Sequence, residues 1–229
     1  MQPQVFPGTY TDGHGTERIM WRIGPSRHWG ANRFDIRTVI RGVPVAGPDF
    51  DALGPYDKGA ALRVGLPVDQ WDAISGCAFS GELPCSVQVH DQRRPGVMHF
   101  RLTLPPGGVG ESLELAIDID GRTYRGTDRY FEDALFRLGQ QFPDDIRLLS
   151  CITCLFSDYS PYGHGLTGMW CHRDAKDQYL AVRTRDDYFE VPVTEQVPET
   201  YLCADYTHRI PGTGYRRLKS GTEPRTVNR

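Results

Sequence analysis

The stretch Leu113-Glu114-Leu115-Ala116-Ile117-Asp118-Ile119-Asp120-Gly121-Arg122-Thr123-Tyr124-Arg125 decides the fold class. Leu113, Leu115, Ile117 and Ile119 recur at every second position, the period at which a strand returns to the same face. Asp120-Gly121 is a two-residue hairpin signal, because a tight antiparallel connection needs positive φ at its central residues. Working outward, Met98, Phe100, Leu102 and Leu104 alternate with His99, Arg101 and Thr103, and the run from Pro105 to Gly110 turns the chain. Cys85, Val87 and Val89 alternate from Pro84 onward. Nearer the start, Phe34, Ile36, Thr38 and Ile40 share a face, and residues 19–23 are their partner across the 24–32 loop. Val43, Pro44 and Val45 extend the sheet towards an edge, where the missing N–H of Pro44 is tolerated. Residues 46–60, with Gly47-Pro48, Gly54-Pro55 and Gly59, read as a long surface loop. The sum is a mainly β (α+β) chain, an antiparallel β-sandwich or a strongly twisted meander.

The period changes at residue 127. Phe131, Leu135, Leu138 and Phe142 recur at helical spacing, with Thr127 or Asp128 as cap, Glu132 and Asp133 in the first turn, and Pro143 as the stop. A second, short helix is expected over 174–182, with strands over 188–193 and 200–203. These breaks divide the chain into a β-rich part over 1–126, a helix and cysteine-rich region over 127–216 packed on it, and a flexible basic tail over 217–229.

A length of 229 residues with 39% hydrophobic content is enough to bury a sizeable core. The net charge of −3 supplies no overall field that would draw the chain to nucleic acid or anionic lipid. The first residues carry no basic-then-apolar signal, and no apolar run is long enough to span a bilayer, so the expectation is a cytoplasmic protein with no membrane partner. In that compartment thiols stay reduced. Cys77 and Cys85 read as buried thiols.

Three of the six cysteines crowd into one region: Cys151-Ile152-Thr153-Cys154, then Cys171. Two cysteines separated by two residues form a turn that aims both thiolates at one point, as a tetrahedral zinc site requires. Cys171 and His172 are neighbours and point in different directions, so they do not serve the same ion together. The fourth ligand is therefore sought elsewhere, with Cys203 first and His172, His164 and His208 behind it. A structural zinc held by Cys151, Cys154, Cys171 and Cys203 is the leading reading, with an iron–sulfur cluster, a redox dithiol and plain buried thiols as its competitors. Ser157, Asp158, Tyr159, Tyr162, His164 and His172 are candidates for a recognition loop, although Ser, Asp and Pro are also ordinary turn residues. Arg209, Gly212, Gly214 and Arg216 are candidates for an anion site built on backbone N–H groups, but the ending of a nucleotide-binding P-loop is missing.

The string from Cys151 to Gly163, then Gly168-Met169-Trp170-Cys171-His172-Arg173, Glu199-Thr200-Tyr201-Leu202-Cys203 and Pro211-Gly212-Thr213-Gly214-Tyr215-Arg216, resembles an uncharacterised, mainly actinomycete bacterial family. The resemblance is strongest over 151–216 and weaker over the β-rich part. It implies Cys203 as the fourth sulfur and brings no activity.

No serine-nucleophile elbow and no His-Glu-x-x-His motif is present. The sequence therefore reads as a non-catalytic binding or interaction protein, with an unknown protein or small-molecule partner and a structural zinc. The runners-up are a metal-dependent enzyme of unassigned class using the 157–172 loop and a nucleic-acid-binding module using the basic tail.

Overall fold

The computed structural model describes residues 3–26, 33–107, 110–160, 165–210, 213 and 215. The chain opens with β1 (Gln4–Asp12), β2 (Gly15–Pro25), β3 (Phe34–Ile40), β4 (Val43–Gly47) and the short β5 (Gly54–Pro55), then α1 (Lys58–Arg63). Four long strands follow: β6 (Cys77–Val89), β7 (Gln92–Leu104), β8 (Ser112–Ile119) and β9 (Arg122–Asp128). After them come α2 (Phe131–Gly139), β10 (Ile146–Leu148), a 3-10 turn (Cys151–Thr153), β11 (Ser157–Tyr159), β12 (Met169–Cys171), α3 (Lys176–Ala181), α4 (Arg185–Glu190) and β13 (Glu195–Val197).

All described pairings are antiparallel. One ten-stranded sheet runs β5-β4-β3-β2-β1-β6-β7-β8-β9, with β10 on β6, and a three-stranded sheet runs β11-β12-β13. Of the two expected arrangements, this path is the meander, with one non-sequential step from β1 to β6. The edge of β6 is shared: β1 takes 78–81 and β10 takes 87–89, so the segment leading to the cysteines is hydrogen-bonded into the main sheet.

The hairpins follow from their turn chemistry. Asp120 (φ 49) and Gly121 (φ 80) close β8 onto β9, and Arg41 (φ 50) and Gly42 (φ 77) close β3 onto β4. At the β1–β6 crossing Gly8 faces Gly81, and a Cβ on Gly8 would lie 2.2 Å from both Ser80 O and the Trp21 indole nitrogen. The indole takes that room, donates to Ser80 O at 2.8 Å, and sits edge-on to Phe50 and Phe79. This aromatic cluster centres a core that continues through α2 to Ile146, Leu148, Cys151, Met169 and Cys171. Each Ile, Leu, Phe or Met side chain of this core removed from water stabilises the fold by roughly 1.5–3 kcal/mol.

Several expectations need correction. β1, which contains Pro7-Gly8, forms where the sequence pattern gives no strand, and β6 begins at Cys77 rather than near Pro84. The 46–60 loop holds β5 and the start of α1, capped by Asp57 through its bond from Ala60 N at 2.9 Å. The cap of α2 is Tyr130, because β9 runs on through Asp128. Residues 188–193 are not a strand: Thr184 and Asp187 form a capping box that starts α4. Residues 199–203 are a turn and irregular backbone, and the last strand is β13. The second helix lies where expected, as α3.

Candidate functional site

Two features of the sequence start the site. β10 delivers the chain alongside β6, and Leu149 N continues the ladder to Ser86 O at 2.8 Å. Thr153 then tightens the turn: its hydroxyl accepts from Ser150 N at 3.3 Å and donates to Leu148 O at 2.8 Å. Cys154 N closes on Cys151 O at 3.1 Å, so the Cys-x-x-Cys pair sits on one helical turn.

Three other segments lock onto this turn through the backbone. Cys151 N donates to Tyr201 O at 2.7 Å and Ile152 N to Glu199 O at 3.0 Å, which brings in the strand-free segment carrying Cys203. Cys154 bridges His208, with Leu155 N on Thr207 O at 2.7 Å and Arg209 N on Thr153 O at 2.9 Å. Ser157, whose hydroxyl donates to Cys151 O, stands opposite Cys171 in the β11–β12 pair. Cys171 in turn faces Glu195 of β13.

Cys151, Cys154 and Cys171 are buried, Cys203 is half-buried, and none of the six cysteines is in a disulfide. Burial pushes the Cys151 thiol well above its usual range, and Cys154, Cys171 and Cys203 each push it further. Burial also raises the Cys171 thiol, against the pull of Arg173, with Cys203 and Cys154 adding to the rise. The four sulfurs therefore share one electrostatic neighbourhood. Among the described residues, however, no three His, Cys, Asp or Glu side chains stand in a ready-made metal cage. Arg173 lies against the cluster, with one guanidinium nitrogen 3.8 Å from Cys171 Sγ and the other 2.9 Å from Glu195 Oε2.

The other residues expected to form a recognition loop face inward. Ser157, Asp158, Tyr159 and His172 are all buried. His172 Nδ1 meets Pro192 O at 2.9 Å, Nε2 meets the Tyr188 hydroxyl at 3.3 Å, and the ring stacks on Tyr179. Burial lowers its pKa, and with both nitrogens engaged it is a packing histidine rather than a ligand or base. Asp158 accepts from the Tyr179 hydroxyl at 3.2 Å, and the Tyr159 hydroxyl donates to Glu199 at 2.5 Å. Tyr162 and His164 lie outside the described residues.

The anion site fares similarly. The Arg209 guanidinium donates to Cys154 O at 2.7 Å and to Ser157 O, so it pins the cysteine turn rather than facing a ligand. Gly212, Gly214 and Arg216 lie outside the described residues. Cys77 and Cys85 are the buried thiols expected, each pushed up to about 12, chiefly by burial.

Sequence reasoning missed Arg173, Glu199 and Asp49. Asp49 accepts from Leu166 N at 2.9 Å while Thr167 donates to Pro48 O at 2.7 Å, tying the loop after β4 to the cysteine region. Burial and the charge of Asp51 push Asp49 up to about 7. Asp49, Arg129 and Glu199 line a small cavity of about 40 Å³. No motif marks these residues: Asp49 and Glu199 act across long sequence separations, and Arg173, beside its near neighbour Cys171, meets Glu195 only once β12 and β13 pair.

Residues 4–157 match the model of a family described as "Family of unknown function (DUF6304)". The chain belongs to that family. The DUF6304 match covers the β-rich part, where the sequence resemblance was weaker, and ends at Ser157, so it includes Cys151 and Cys154 but neither Cys171 nor Cys203. No curated protein and no solved structure is found to match the chain.

Proposed function

We propose that this protein is a non-catalytic binding or interaction protein whose last third is stapled to the large sheet by a structural zinc on Cys151, Cys154, Cys171 and Cys203. The observation that carries the reading is that the backbone ties together the segments bearing these cysteines: the Cys-x-x-Cys turn bonds to Glu199 and Tyr201 just before Cys203, and β11, which follows the turn, pairs with β12, which ends at Cys171. The other three cysteines each raise the pKa of the buried Cys151 thiol, so thiolates here are poor company for one another. A dication reverses the sign of that interaction, because each ligand gives up its proton and the pairwise repulsion is replaced by attraction to the metal. Four thiolates around Zn²⁺ leave a net charge of −2, and the guanidinium of Arg173 beside Cys171 Sγ offsets part of it.

A closed four-sulfur site has no open position for substrate, so the zinc fixes structure and the binding surface lies elsewhere. The site fits a reducing compartment such as the cytoplasm, in which all six cysteines remain thiols or thiolates. No described helix is long and apolar enough to cross a membrane.

The test is elemental analysis of protein purified without added metal, before and after Cys171→Ser. The expected result is about one zinc per chain, lost in the variant. Protein free of metal, or an unchanged zinc content in Cys171→Ser, overturns the reading. Iron with visible absorption reassigns the sulfurs to a cluster.

A further inference from the structure

A groove of about 650 Å³, within the range of small-ligand sites, opens between the loop after β4, the turn that follows α1, and the start of β8. Its chemistry is aromatic and acidic. Trp71 is 67% exposed and Tyr56 49% exposed, and they share the lining with Asp51, Asp69, Asp72 and Glu111.

The exposure of Trp71 is built in. Asp69 Oδ1 accepts from Trp71 N at 2.8 Å and Ala73 N at 2.9 Å, Asp69 N donates to Ala73 O at 2.8 Å, and Ile74 N ties the turn to Leu53 O at 2.8 Å. The backbone beneath the indole is thus fixed while the ring stays in water. An aromatic ring of this size forgoes roughly 150–250 Å² of burial when it is left outside the core.

The charges are not balanced. Two described cations answer four carboxylates: Lys58 pairs with Asp72, and Arg129 reaches Glu111 Oε1 through both Nε and a terminal nitrogen, each at 2.8 Å. Glu111 Oε2 is buried and has no hydrogen-bond partner among the described residues. Asp51 stands near enough to Glu111 that, after burial, the Glu111 charge is the main influence raising its pKa. A buried carboxylate oxygen without a donor is an expensive feature, and an incoming N–H relieves it.

We infer that this groove binds an aliphatic polyammonium ligand, with one cation over the Trp71 and Tyr56 rings and another donating N–H groups to Glu111 and Asp51. The rings supply attraction to the positive charge through their π faces, and the carboxylates supply charge-assisted hydrogen bonds that a neutral ligand cannot match. The ligand carries more than one cation because the four lining carboxylates, less Lys58 and Arg129, leave two negative charges unanswered among the described residues. This inference is independent of the zinc staple.

The test is titration calorimetry of the full chain with spermidine at low ionic strength, with 1,5-pentanediol as the uncharged control. Spermidine is expected to bind and the diol not to. Trp71→Ala and Glu111→Gln should each weaken spermidine about tenfold or more. Trp71 is exposed, so its variant should unfold at the wild-type temperature, which separates lost binding from lost structure. No spermidine binding at millimolar concentration, equal binding of the diol, or unchanged affinity in either folded variant overturns the inference.

Discussion

Gly126 on β9 is where the helix α2 comes closest to the sheet. A Cβ there would lie 2.0 Å from Ala134 O and 2.7 Å from Leu138 N, both backbone atoms of α2 that cannot swing aside. Ordinary contact begins near 3.4 Å, so Gly126→Ala must lift the helix by more than an ångström at this point. The residues that would be loosened are Phe131, Ala134, Leu135 and Leu138, the buried face of α2. Overpacking of this kind costs about 1–3 kcal/mol, which for a chain of this size lowers Tm by roughly 2–12 °C. Gly139 on the same helix is an internal control, since a Cβ there meets nothing within 4 Å. Gly139→Ala should stabilise by up to about 1 kcal/mol through helix propensity. Thermal and urea unfolding of the two variants should therefore move in opposite directions. A neutral Gly126→Ala refutes the packing of α2 on β9.

Further expectations follow from the thiols and from Asp49. Cys171→Ala and Cys85→Ala each remove a buried thiol, and as packing changes alone both should cost on the order of 1 kcal/mol; a zinc staple makes Cys171→Ala several kcal/mol worse and makes wild-type stability fall on adding a chelator, whereas Cys85→Ala keeps its chelator sensitivity. Equal costs in urea unfolding contradict the staple. Asp49, pushed up to about 7, holds a proton in the native state that the unfolded chain, titrating near its ordinary value of roughly 3.9, has already released. Unfolding then sheds a proton between about pH 4 and 7, and this contribution to stability declines as pH rises through that window. The wild-type stability minus that of Asp49→Asn should fall across those pH values; a difference that does not change with pH refutes the assignment.

Much of the sheet was readable because its strands are half-buried and its turns are chemically marked. The β8–β9 and β3–β4 hairpins rest on Asp120-Gly121 and Arg41-Gly42, and Ile23 does pair with Ile36. β1 hid because Pro7-Gly8 breaks its alternation, and the reason for Gly8, room for the Trp21 indole, exists only once β2 and β6 are in place. The stretch 188–193 reads as a strand on its own, yet the capping box of Thr184 and Asp187 just before it starts α4. At the site, the spacing of Cys151 and Cys154 announced the turn, but burial of Asp158 and His172 did not show in a polar loop sequence. Arg173, Glu199 and Asp49 act on partners that only the tertiary fold supplies.

The sulfur set bears the most weight, and X-ray absorption at the zinc edge on protein purified without added metal addresses it directly. The account predicts four sulfur neighbours at about 2.3 Å, falling to three in Cys203→Ser. A first shell containing nitrogen or water oxygen in the wild type, or the absence of zinc, contradicts a closed staple built from Cys151, Cys154, Cys171 and Cys203.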